Sequence, residues 1–126
     1  MRIVIFTDKE YVVKTFREIL PCLPGVNATF VLFRRNGDIC NYDTREKIDL
    51  ASVHKDADIL LVDHSRFVHG GQILELWREN GLDEERTRVV SISSSKRQPY
   101  LKRWIPPSNF RSELPTLCKE CERAVP

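Results

Sequence analysis

The sequence predicts an α/β domain in which a parallel sheet lies between two layers of helices. Three observations carry this. The runs Ile3-Val4-Ile5-Phe6, Phe30-Val31-Leu32-Phe33, Ile59-Leu60-Leu61-Val62 and Val89-Val90-Ser91-Ile92 have strand length and are mostly apolar, as strands buried on both faces are. Segments with helical apolar spacing stand between them. The 126 residues suffice for one sizeable core and are too few for two of ordinary size, so residues 1–126 are read as a single domain.

Residues 2–7 are the first strand, and it emerges at the polar tip Asp8. Val12, Phe16, Ile19 and Leu20 then fall at i, i+4, i+7 and i+8, one apolar stripe of a helix that Pro21, Pro24 and Gly25 end. Residues 28–33 form the second strand. The Asn36-Gly37 pair behind it is a strong hairpin signal, with residues 38–42 as a return strand that extends the sheet. Residues 44–55 carry Ile48, Leu50, Ala51 and Val53, which suit a short helix with a weak apolar face.

Residues 57–63 are the third parallel strand, and residues 72–80 a helix with Ile73, Leu74 and Leu76 inward and Gly81 as its stop. Residues 88–93 form the fourth strand and run into Ser93-Ser94-Ser95. Between that run and Trp104 there is little room for a full helix. Trp104-Ile105 is a brief fifth strand cut off by Pro106-Pro107, and Ser108 is placed to cap a terminal helix using Phe110, Leu114 and Leu117.

Composition excludes little but orders the alternatives. With 41% hydrophobic and 30% charged residues and a net charge of +2, nothing calls for nucleic acid. Apolar stretches stop at strand length, and the amino terminus lacks the blocks of a signal peptide, which points to the cytoplasm and away from a membrane. There the four cysteines, Cys22, Cys40, Cys118 and Cys121, are expected as free thiols.

Open α/β sheets collect their chemistry at the carboxyl ends of the strands. Asp8, Asp63 and Ser93 end three of them, so two carboxylates and a hydroxyl are expected at one edge. Two acids close together repel unless a cation offsets their charge, and oxygen ligands favour a hard ion, so Asp8 with Asp63 is a candidate Mg²⁺ site. With that ion, Asp63 could attack a phosphoryl group in line while Ser93 donates to one of its oxygens. The blander readings are a turn-capping Asp63, a helix-capping Asp8 and a plain serine loop.

Other residues carry weaker signals. His64 and His69 match no helical ligand spacing and are read as loop residues. Cys118 and Cys121 form one Cys-x-x-Cys, which leaves open a metal or redox protein, but the pair lies late in a helix and reads as two helix-face thiols. Lys96, Arg97, Lys102 and Arg103, interleaved with Tyr100 and Trp104, are too few for a nucleic-acid surface in a nearly neutral chain. Trp104 is the residue best suited to anchor a protein partner.

Asp58-Ile59-Leu60-Leu61-Val62-Asp63, with Gly71 eight residues on and Gln72-Ile73-Leu74-Glu75-Leu76 after it, resembles the phosphoacceptor strand and loop of the receiver domains of two-component response regulators. Arg2-Ile3-Val4-Ile5-Phe6-Thr7-Asp8 with Arg17-Glu18-Ile19-Leu20 is similar to their first strand and helix, and Val89-Val90-Ser91-Ile92-Ser93-Ser94 to their fourth strand. The resemblance implies a three-layer sandwich on a five-stranded parallel sheet of order 2-1-3-4-5. It implies Asp63 as phosphoacceptor, Asp8 as a magnesium ligand, Ser93 as the switch hydroxyl and Trp104 as an aromatic switch or partner anchor.

The departures from that pattern point in one direction. Thr7 stands where receivers carry the first of two acids, and Pro106-Pro107 stands without the usual preceding lysine. Lys102 lies at the beginning of its strand, at the opposite edge. Phe67 replaces a loop proline, and the fourth helix is shortened. The expectation is therefore a degenerate receiver, a signalling module without turnover, whose partner is a downstream protein, a histidine kinase or a second copy of itself. The rival within the resemblance is an active phosphoacceptor taking phosphate on Asp63 from a histidine kinase with Mg²⁺.

Overall fold

The computed structural model describes residues 1–34, 38–63, 70–92 and 103–124. Asn36-Gly37, His64, Phe67, His69, Ser93, Lys96, Arg97, Tyr100, Lys102 and the predicted short fourth helix lie outside the described residues. The elements are β1 (Arg2–Phe6), α1 (Glu10–Ile19), β2 (Asn27–Phe33), β3 (Ile39–Asn41), β4 (Lys47–Ile48), β5 (Ile59–Val62), α2 (Gly70–Glu79), β6 (Arg88–Ser91) and α3 (Phe110–Ala124).

Among the described residues the sheet has six strands in the order β4-β3-β2-β1-β5-β6, and it is mixed. This corrects the expected five-stranded, wholly parallel sheet. Its parallel part, β2-β1-β5-β6, keeps the expected succession. Among the described residues the brief fifth parallel strand is one bridge, Ser91 to Trp104, in which the Ser91 N–H donates to Arg103 O at 2.9 Å and the Ile105 N–H to Ser91 O at 2.8 Å. Pro106 and Pro107 follow, and neither has an N–H with which to continue a ladder.

The two antiparallel strands come from the predicted hairpin extension and from a segment read as helix. β3 returns against β2 with Val31 opposite Asn41 and Phe33 opposite Ile39. Where residues 44–55 were expected to form a helix, the chain makes β4 and then a 3-10 turn over Val53–Asp56. Local side-chain bonds win there. Asn41 Oδ1 accepts the N–H groups of Asp43 and Thr44, and the Asp49 carboxylate accepts the Ala51 N–H and the Ser52 hydroxyl. Ile48, Leu50 and Val53 still turn inward against the core, as the apolar pattern requires.

Side-chain alternation along the strands sorts the core into two layers. Ile3, Ile5, Phe30, Ile59, Leu61 and Val90 face α1 and α3, whereas Val4, Phe6, Val31, Phe33, Leu60 and Val62 face α2. Phe16 of α1 meets Phe30 and Phe110 edge to face, with centroids 5.8 and 6.0 Å away, joining α1, β2 and α3. On α2 the buried residues are Ile73, Leu74 and Trp77, with Leu76 half-buried at the margin. Trp77, four residues after Ile73 and three after Leu74, completes the buried stripe, where Leu76 was expected to turn inward. Gly81, at φ 88°, ends the helix as expected.

α3 buries Phe110, Leu114, Leu117, Cys118 and Cys121 against the same face as α1. A 3-10 turn, Pro107–Asn109, leads into it. Ser108 does not cap the helix: its hydroxyl bonds the Asn109 side chain at 3.3 Å, and the turn itself brings the chain to Phe110.

Candidate functional site

The carboxyl ends of β1 and β5 bring Thr7 and Asp63 side by side. The Thr7 N–H donates to Val31 O at 3.0 Å and the Asp63 N–H to Phe6 O at 2.8 Å, so parallel pairing runs one residue past each strand and fixes both backbones. Both side chains are buried, Asp63 being 2% exposed. A carboxylate so deeply placed has to be paired or neutralised.

Among the described residues, two neighbours do this. The Thr7 hydroxyl donates to Asp63 Oδ2 at 2.9 Å, and the Lys9 ammonium lies 3.2 Å from Oδ1. Lys9 is held in place by its backbone. Its N–H donates to Thr7 Oγ1 at 3.1 Å, and as the N-cap of α1 its carbonyl accepts the Val12 and Val13 N–H groups. The Lys9 side chain is 32% exposed, so the ammonium reaches a buried acid from a partly wet position. At that separation the gross attraction is about 5 kcal/mol for an effective dielectric of about 20, much of it offset by desolvation of the two charges.

Asp8, expected beside Asp63, sits half-buried in the turn between β1 and α1 and makes no hydrogen bond or ion pair with the described residues. It is not the helix cap, because the chain enters the helix one residue later, at Lys9. Ile105 stands before Pro106, fully buried in the core layer of α1 and α3, so no cation reaches the site from there. Trp104 is 37% exposed beside the bridge to Ser91.

Lys9 is the functional residue that sequence reasoning passed over. Its signal was present: it is the one cation in the short turn between the first strand and the first helix, at the edge where Asp63 ends its own strand.

Cys118 and Cys121 point into the core among Leu114, Leu117 and Ile92, and none of the four cysteines is in a disulfide. Burial pushes the Cys121 thiol above its ordinary pKa, with the Arg88 guanidinium pulling the other way. A buried thiol with raised pKa is a poor metal ligand and a poor nucleophile.

Neither a family model nor a curated protein matches the sequence. Solved structures do. The non-phosphorylated receiver domain of the stress response regulator RcsB from Escherichia coli superposes with a TM-score of 0.66 at 12% identity, covering 98% of this chain and 93% of that one. The N-terminal domain of a response regulator/sensory box/GGDEF 3-domain protein from Carboxydothermus hydrogenoformans gives 0.66 at 16% identity, over 98% and 94%. This chain has the receiver fold. It spans 60% of the chain of the RcsB response regulator from Salmonella typhimurium, with a TM-score of 0.64 at 12% identity.

Within the receiver fold, Asp63 lies at the carboxyl edge of the parallel strands, where such sheets place their ligands. A magnesium ion there would need several oxygen ligands in near-octahedral array. Thr7 brings a hydroxyl where the resemblance leads one to expect an acid, Lys9 brings an ammonium to Asp63 Oδ1, and among the described residues no cluster of three or more His, Cys, Asp or Glu is placed to hold a metal. Among the described residues it is the Lys9 ammonium that stands against Asp63 Oδ1. Among the described residues no helix is long and apolar enough to cross a membrane.

Proposed function

We propose that this chain is a receiver-like signalling module that acts through contacts with other proteins, independently of phosphorylation at Asp63, and has no catalytic turnover of its own. The observation that carries this reading is the engagement of both Asp63 oxygens by Thr7 and Lys9. In-line transfer to a carboxylate calls for a cation that bridges it to the incoming phosphoryl group and neutralises the developing charge. The Lys9 ammonium stabilises the resting carboxylate instead.

On this reading the fold serves as a platform, cytoplasmic in setting, and its partner is a downstream protein or a second copy of the chain. Trp104, with more than a third of its surface exposed beside the brief fifth strand, is the proposed anchor. Ser93 follows β6 in the sequence, and on this reading its hydroxyl has no phosphoryl group to report. The rival reading, phosphate accepted on Asp63 from a histidine kinase with Mg²⁺ at Asp8 and Asp63, draws on the location of Asp63 at the strand end.

Incubation with Mg²⁺ and a small acyl phosphate, followed by intact mass measurement, separates the two. The expected result is an unmodified chain. A phosphoryl adduct that disappears in Asp63→Ala would overturn the proposal in favour of the active phosphoacceptor.

A further inference from the structure

We infer that Lys9 is a built-in counter-ion that occupies the cation position of the Asp63 site and keeps divalent metal out of it. The inference rests on the reading above that Asp63 marks the receiver site. It goes beyond it by naming the residue that sets the state of that site.

Lys9 is not a surface lysine that happens to lie near an acid. Its backbone is fixed from both sides, by its N–H on Thr7 Oγ1 and by the first amides of α1 on its carbonyl. The same threonine hydroxyl that accepts from Lys9 donates to Asp63, so one short chain of bonds, Lys9 N–H to Thr7 to Asp63, closes through the Lys9 ammonium back onto the same carboxylate. Threonine at position 7 and lysine at position 9 thus act together. A hydroxyl can bridge the two groups, whereas a carboxylate at position 7 would bring a second buried negative charge.

The charge arithmetic favours the internal cation. Asp63 carries one negative charge in the site and Lys9 one positive charge, so the pair is neutral. A divalent ion on the Asp63 oxygens would leave a net excess of positive charge within a few ångströms of a buried carboxylate, so it must expel the ammonium first. Lys9 is able to leave, since its side chain is 32% exposed. It therefore acts as a gate on metal entry, competing with the ion for one carboxylate oxygen.

Two measurements test this. The first follows amine reactivity in the wild-type protein, by brief acetylation with a water-soluble acetylating ester and peptide mass mapping. Lys9 is expected to react more slowly than the exposed Lys47, to speed up several-fold in Asp63→Asn, and to be unchanged by millimolar Mg²⁺. Acceleration of Lys9 acetylation by Mg²⁺ in the wild type would overturn the inference, as would a Lys9 that reacts as fast in the wild type as in Asp63→Asn.

The second isolates the gate in a site given a second acid. Mn²⁺ binding, followed by water-proton relaxation, is compared between Thr7→Asp and Thr7→Asp/Lys9→Met, with Thr7→Asp/Lys9→Arg as the cation-retaining control. Removal of the ammonium should tighten Mn²⁺ by about tenfold or more, the scale of one neighbouring charge on a carboxylate, and arginine should not. Equal affinity with and without the cation would overturn the inference. The two proposals fail separately: an Asp63 phosphoryl adduct formed while Lys9 remains protected sinks the functional reading alone, and metal that displaces Lys9 without any adduct sinks the gate alone.

Discussion

The indole N–H of Trp77 donates to the carbonyl of Leu50 at 2.8 Å, tying α2 to the segment between β4 and β5. Trp77 is fully buried, with its ring 5.2 Å from that of Phe6 and 6.2 Å from that of His54. It therefore fastens the hairpin extension to the α2 side of the sheet as well as filling the core.

Trp77→Ala is expected to lower unfolding free energy by about 3–5 kcal/mol, the range for an emptied aromatic site. Trp77→Phe keeps most of the packing and orphans the Leu50 carbonyl, for a loss of about 1–2 kcal/mol. Urea denaturation followed by circular dichroism measures both. A phenylalanine variant as weak as the alanine one would mean that the bond, and not the ring volume, holds the segment.

Removing the Lys9 ammonium leaves a charged Asp63 whose side chain is 1% exposed. Lys9→Met is expected to cost about 2 kcal/mol, below the range for a fully buried pair because the lysine end is partly wet. Asp63→Asn removes the need for the cation, so the double variant should recover about 1–2 kcal/mol relative to the sum of the single ones. Additive losses in that cycle would show that the ion pair contributes nothing.

How far the chain could be read before its structure was seen depends on how local each determinant is. The parallel strands and their order were visible because strands buried on both faces must be continuous apolar runs, and Ile59-Leu60-Leu61-Val62 can be little else. The segment 44–55 misled because Ile48, Leu50 and Val53 have inward positions in either a helix or a short strand and turn, and the choice was made by the Asn41 and Asp49 side chains bonding nearby amides. At the site, Asp63 could be placed from its strand alone. Lys9 could not, because its role depends on how sharply the chain turns at Asp8, which neither periodicity nor composition records.

The thiols should differ in reactivity. Cys22 is exposed, while Cys40, Cys118 and Cys121 are buried. In native protein a disulfide reagent should modify Cys22 quickly and the other three only on the timescale of unfolding. Cys121 adds a pH signature, because burial lifts its pKa above the ordinary 9.0. The unfolded chain then releases the proton first, so the stabilisation is complete below about pH 9 and is lost as pH rises through the folded value. Urea midpoints should fall more steeply between pH 8 and pH 10, both about that value, in the wild type than in Cys121→Ala. Parallel slopes would contradict this.

Pro115 lies inside α3 and is half-buried. It has no N–H to offer the carbonyl of Arg111 one turn earlier. Pro115→Ala is expected to raise stability by about 1 kcal/mol, the gain of a helical bond and better propensity less the added freedom of the unfolded chain. Thermal unfolding reads the change, and a lowered midpoint would show that the helix depends on the bend proline imposes.

The single bridge between Ser91 and Trp104 gives the sheet two unequal margins. On one side β2 is covered by a laddered hairpin; on the other, beyond β6, the described residues supply two backbone bonds at Ser91, the brief fifth strand that was expected. Amide exchange should therefore proceed from one flank: the Ile105 and Ser91 hydrogens bonded across that bridge open in a local event, while those of β1, between β2 and β5, exchange only when the whole domain unfolds. The margin that is cheapest to open is also the one that carries Trp104.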